Sequence, residues 1–223
     1  MTLILPQIGV LKQEAGPRVT LNESGLNTND NLTVYTVSVN AGVGGLVVLV
    51  FGADERNVVD ILNVVSVTID GITASVISSP CDAIDKSLVG MAWADGVSAG
   101  TVTAVITFDE RGNDMTWATY TITGATSATP HDTGVTTGGP ATTDTVTIDI
   151  PAGGVQIAAA DWRYASAGNN IDWTNATEDW SSGVYSRQTS SASDDRLSVE
   201  TGRVITATAG TSVKYGIIAA SWS

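Results

Sequence analysis

At 223 residues the chain is long enough to bury about 70% of its unfolded surface as one domain, so its core needs no covalent staple. Its lone cysteine, Cys81, excludes an intrachain disulfide scaffold and a thiolate metal cluster, and its lone histidine, His131, excludes the usual histidine-rich zinc sites. Ten basic against 23 acidic residues give a net charge of −13, which repels nucleic acid backbones and anionic membranes, so neither is expected as a partner.

The chain opens on MTLILPQIGVLKQ, apolar but without a basic residue ahead of the apolar run and cut by Pro6, so a secretory signal is not expected. Leu3, Ile4, Leu5, Ile8 and Leu11 follow no clean period, and Pro6, Gly9, Gly16 and Pro17 interrupt any helix. Two readings stay open for this extended N-terminal arm: a first strand against its own domain, or an inter-subunit arm on a neighbouring copy. Asn22 to Asn31 reads as a polar loop, so residues 1–31 are set apart as arm and loop, and 32–223 as a single β domain.

Tyr35 to Val39 alternates apolar and polar residues, whereas Leu46 to Phe51 is a continuous apolar run, the pattern of a strand buried on both faces. No apolar run approaches membrane-spanning length. Residues 54–61 hold a short helical possibility. From Val64 to Phe108 alternating runs are broken by turn residues, and Asp70-Gly71 carries the signature of a tight hairpin turn. DERGND, residues 109–114, reads as another turn before TWATYTIT. After a Thr/Gly/Pro-rich connection come an alternating run at 145–150, a buried strand at 155–162, and four further short runs to Trp222. About twelve short strands without a long helix predict an all-β, antiparallel β-sandwich, jelly-roll-like, in two packed sheets.

The succession SVTIDGITASVI, MAWADGVSAGTVTAVITF, ATYTITGATSATPHDTG, TVTIDIPAGGVQIAAADW and GIIAASW resembles single-domain β-sandwich structural proteins of tailed-bacteriophage and prophage particles, over Tyr35 to Trp222. That resemblance implies a virion component made in the host cytoplasm: a head decoration, head fibre or tail-fibre-type protein, assembled with other virion proteins and as a homo-oligomer.

Catalytic signals are few. Gly96-Val97-Ser98-Ala99-Gly100 matches the nucleophile-elbow pattern, but an elbow leads into a helix and TVTAVITF is a strand, so a hairpin loop is expected. The carboxylate pairs Asp54-Glu55, Asp109-Glu110, Glu178-Asp179 and Asp194-Asp195 are expected in solvated turns, with no catalytic residue and no metal site assigned. A weakly bound calcium ion is left open as the one cofactor. The stretch 161–185, expected to be largely loop, gathers Trp162, Tyr164, Trp173, Trp180 and Tyr185 among amide and carboxylate groups, the side-chain types that hold a sugar or a partner surface. Each tryptophan has core plugging as its alternative. Three functions follow: a structural virion protein, a module binding host glycan or receptor, and, with least support, a glycan-degrading enzyme.

Overall fold

The computed structural model describes residues 16–28, 32–54, 62–80, 87–163, 171–184 and 187–223, and these are built of antiparallel strands without a helix. The first half of the chain supplies β1 (Arg18–Asn27), β2 (Leu32–Ala41), β3 (Gly45–Asp54), β4 (Val64–Ile69), β5 (Ile72–Thr73), β6 (Ser75–Pro80), β7 (Ser87–Ala94), β8 (Gly100–Gly112) and β9 (Asp114–Thr123). The second half supplies β10 (Asp132–Ile150), β11 (Gly154–Arg163), β12 (Ile171–Thr174), β13 (Thr177–Val184), β14 (Arg187–Leu197) and β15 (Glu200–Trp222).

These strands form the expected antiparallel sandwich with three sheets rather than two. An outer sheet runs β2-β8-β4-β5, a central sheet β1-β9-β3-β7-β6, and a C-terminal sheet β10-β15-β11-β14-β13, with β12 added to β15. The hydropathy of each strand matches its layer. LVVLVF in β3 and LVGMAWA in β7 are buried on both faces because they sit in the middle layer, whereas β2 and β8 alternate because one face of the outer sheet meets water.

Two cores flank the central sheet. Val47, Leu49 and Phe51 point toward the outer sheet, where Tyr35 and Phe108 meet edge to face at 5.8 Å. Leu46, Val48 and Val50 point the other way, onto Val155, Ile157 and Trp222 of the C-terminal sheet. A third core lies within that last sheet. The β10/β15 ribbon loses register at residues 138–143 and doubles back, so Thr136 Oγ1 donates to Thr145 O at 2.8 Å and Asp149 N to Asp132 Oδ2 at 2.7 Å. The returning half of the ribbon and β12 thereby cover Ala158, Ala160 and Trp162.

Asp70 and Gly71 form the expected tight turn with φ of 54° and 74°, joining β4 to β5. Residues 96–100 depart from expectation. β7 pairs with β3 and β6 while β8 pairs with β2 and β4, so the segment crosses from central to outer sheet and closes no hairpin. The turn expected at 109–114 likewise shrinks to Asn113, where the chain crosses back between β8 and β9. Within the stretch assigned to arm and polar loop, residues 18–27 are strand β1, hydrogen-bonded along β9. Its polar residues are tolerated because β1 is an edge with most side chains only half covered. The arm residues Leu3, Ile4, Leu5, Ile8 and Leu11 lie outside the described residues, as do 55–61, where the short helix was expected.

Candidate functional site

The described part of the aromatic stretch expected to be loop is largely strand, and alternation along strands deals its rings to different layers. Trp162 on β11 has no exposed surface and fills the third core, so it presents no face to a ligand and leaves the contact set. Trp173 on β12 is half-buried against the same core, and Trp180 on β13 is half-buried against the core beneath the central sheet. Tyr164 and Tyr185 lie outside the described residues.

Trp173 and the Trp180 backbone do meet at one side chain, the buried Ser190 of β14. The Trp173 Nε1–H donates to Ser190 Oγ at 2.9 Å, and the hydroxyl faces Trp180 O at 3.1 Å and Glu178 Oε2 at 3.3 Å. Partial burial raises the Glu178 pKa, the Ser190 hydrogen bond opposes that, and the neighbouring charges of Asp172 and Asp179 add to it. One residue along, Asp179 points through the sheet toward Tyr120, whose hydroxyl lies 2.6 Å from Ser191 Oγ; burial raises both groups. Adjacent carboxylates on a strand face opposite ways, which is why this pair does not converge on one reacting atom.

Of the four carboxylate pairs expected in turns, three lie in strands, and Glu55 of the fourth lies outside the described residues. Asp109-Glu110, Glu178-Asp179 and Asp194-Asp195 all lie within strands, and Asp54 closes β3. Asp194 accepts from Thr177 at 2.8 Å and from Gln156 at 3.0 Å and lies 3.6 Å from Arg203, so it ties β14 to three other strands. Among the described residues no group of three or more His, Cys, Asp or Glu is placed to hold a metal ion.

The densest polar cluster lies where the strands of the central and C-terminal sheets end together. β3 supplies Gly52 and Asp54, β9 Asp114 and Thr116, and β11 Asp161, each continuing the apolar face that its strand turns toward the shared core, while β14 supplies Arg187 and Thr189 from a hydroxyl-bearing face whose Ser191 meets Tyr120. Arg187 is 2% exposed. Its guanidinium donates to Gly52 O and Thr116 Oγ1, both at 3.0 Å, and lies 3.3 Å from Asp161 and 3.8 Å from Asp54. Thr189 donates to Asp161 Oδ1 at 2.6 Å and receives the Thr116 hydroxyl at 2.7 Å. Complete burial lifts the Asp161 pKa from 3.8 to about 6 against the opposing pull of Arg187 and Thr189. A β-carbon at Gly52 would sit 2.5 Å from Thr189 Oγ1 and 2.8 Å from Asp161 Oδ1, so the cluster closes only over glycine.

Sequence reasoning missed this cluster, although one signal was available. In VQIAAADW the aspartate sits in a run otherwise fit for complete burial, and a buried carboxylate demands a buried cation. The arrangement makes a directional bolt between sheets. Its polar groups are spent on one another, and among the described residues of the cluster there is no nucleophile–base pair. Residues 96–100 likewise form no nucleophile elbow, since strand β8 follows directly.

The outer sheet turns to solvent a face whose middle rows are uncharged, the exposed Asp109 and Arg111 of β8 lying toward one end. Its cross-strand rows read Val34 beside Thr107, Ser38 beside Thr103 and Asn40 beside Thr101. No protein-family model matches this chain, and searches of curated proteins and of solved structures found no match.

Proposed function

We propose that this chain is a structural component of a tailed-phage particle, a head decoration, head fibre or tail-fibre-type protein that assembles through protein–protein contacts. The observation that carries the reading is the segregation of charge. A chain with a net charge of −13 keeps the middle rows of its outer-sheet face, 34–40 against 101–107, free of carboxylates, and like copies or shell proteins can approach those rows with little like-charge repulsion. The described polar clusters support it from the other side, because their hydrogen bonds are spent on joining sheets. The test is quantitative mass spectrometry of purified particles. A fixed ratio of this chain to the main shell protein is expected, and its absence from the particles sinks the proposal.

A second reading, a module that binds host glycan, rests on the half-exposed Trp173 and the Glu178 carboxylate meeting at Ser190. A glycan array expected to show signal for the wild-type chain, and to lose it in Trp173→Ala, checks this reading; a blank wild-type array removes it.

A further inference from the structure

The described residues leave the sandwich open along one side. Among the described residues β1 pairs only with β9 and β2 only with β8, and these two edge strands, one from the central and one from the outer sheet, flank a groove. Two hollows lie along it, one of about 350 Å³ bordered by Leu21, Asn40 and Ala41, and one of about 500 Å³ bordered by Leu26, Val37 and Trp117. Val37 and Trp117 belong to the first core and form an apolar floor, while Leu26 stands 45% exposed at the rim. A strand edge beside an apolar floor is the geometry that accepts an added strand, with backbone hydrogen bonds to the edge and alternate side chains in the hollows.

We propose that this groove receives residues 3–11 of a second copy of the chain. The proposal deepens the assembly reading above by naming the partner and the contact. Residues 3–11, LILPQIGVL, are apolar except for Gln7 and long enough for one strand. No carboxylate occurs before Glu14, and Lys12 is positive in a chain otherwise rich in acid, while among the described residues the charged one lining the groove is Glu23. Pro6 is compatible with an added edge strand, where one backbone N–H need not pair.

The direction in which the chain enters β1 argues for a second copy over the same one. At Gly16 a β-carbon would lie 2.9 Å from Gly153 O, Arg18 reaches Asp195 at 3.7 Å, and Val19 and Leu21 pack on the core toward the C-terminal sheet. Gly16, where the described residues begin, therefore lies on the far side of the central sheet from the groove. Fifteen residues extended span roughly 50 Å, enough to reach a neighbour.

Sedimentation of full-length chains tests this. The wild type is expected to self-associate at micromolar concentration. An arm variant, Ile4→Asp with Ile8→Asp, and a groove variant, Thr36→Arg with Leu26→Arg at exposed rim positions, are each expected to be monomeric with an unchanged thermal transition. Mixed together they restore a heterodimer, because one keeps a working groove and the other a working arm. A labelled peptide of residues 1–13 binds the arm variant at least about tenfold more tightly than the groove variant. A wild type that stays monomeric at every concentration, an oligomer indifferent to either variant, or a peptide that binds both variants equally overturns the proposal. A chain absent from particles whose variants still complement each other sinks the particle reading and leaves the groove standing.

Discussion

The two seams on either side of the central sheet are built from different chemistry. Toward the outer sheet the contact is apolar, with Phe51, Tyr35 and Phe108 in edge-to-face contact at 5.8 and 6.2 Å. Toward the C-terminal sheet an apolar centre, where Trp93 and Trp222 meet at 6.0 Å, ends in the Asp161–Arg187 bolt. Apolar packing is strong but only weakly directional, and it tolerates small slips if volume is conserved. A buried guanidinium that must reach Gly52 O, Thr116 and Asp161 together allows one register. The bolt thus fixes where the second half of the chain sits on the first, and apolar area supplies the adhesion.

The sharpest way to break that contrast is Arg187→Met. It keeps much of the volume but strands Asp161 and the carbonyls of Gly52 and Asp114, so a loss of about 3–5 kcal/mol is expected by urea denaturation. Gly52→Ala should follow at about 2 kcal/mol, because its methyl would press on Thr189 and Asp161 from backbone that cannot retreat. Thr189→Val, which removes one hydroxyl from the cluster and leaves its shape, is expected to cost about 1 kcal/mol. In the apolar seam, Phe108→Leu should lower stability without changing its pH dependence. If Arg187→Met instead matches the wild type in midpoint and slope, the bolt contributes nothing to holding the sheets.

The same contrast explains what could be read from the chain. Asp70-Gly71 and the run at 46–51 were legible because a turn and a doubly buried strand are written in local residues. The third sheet was not, because a loop such as 96–100 looks the same whether it closes a hairpin or crosses between layers. Only the change from unbroken apolar residues in β7 to alternation in β8 hints at the crossing. Strand β1 was hidden for a related reason: NESGLN is strand because β9 offers it an edge. The tryptophans of 161–185 could be named but not placed, since a shift of one residue along a strand moves a ring from one core to another.

Acidity offers the finest test of the polar seam. In the folded chain Asp161 holds its proton up to about pH 6, against an ordinary value of 3.8 when exposed. Between those values the folded state binds more protons than the unfolded one. Stability from this group is therefore fully present below 3.8 and is lost as pH rises through about 6. Glu178, Asp179 and Asp144 are displaced in the same direction by burial, while Asp70, held by Ser98 on the open surface, is displaced the other way. Lowering the pH from 7.5 to 5 should raise the unfolding free energy by about 1 kcal/mol through Asp161 alone. Asp161→Asn should remove that part of the slope while keeping the shape beside Arg187, Thr189, Ser87 and Asp54. A slope left intact by the substitution would mean that Asp161 is ionised alike in both states, and that Arg187 fully offsets its burial.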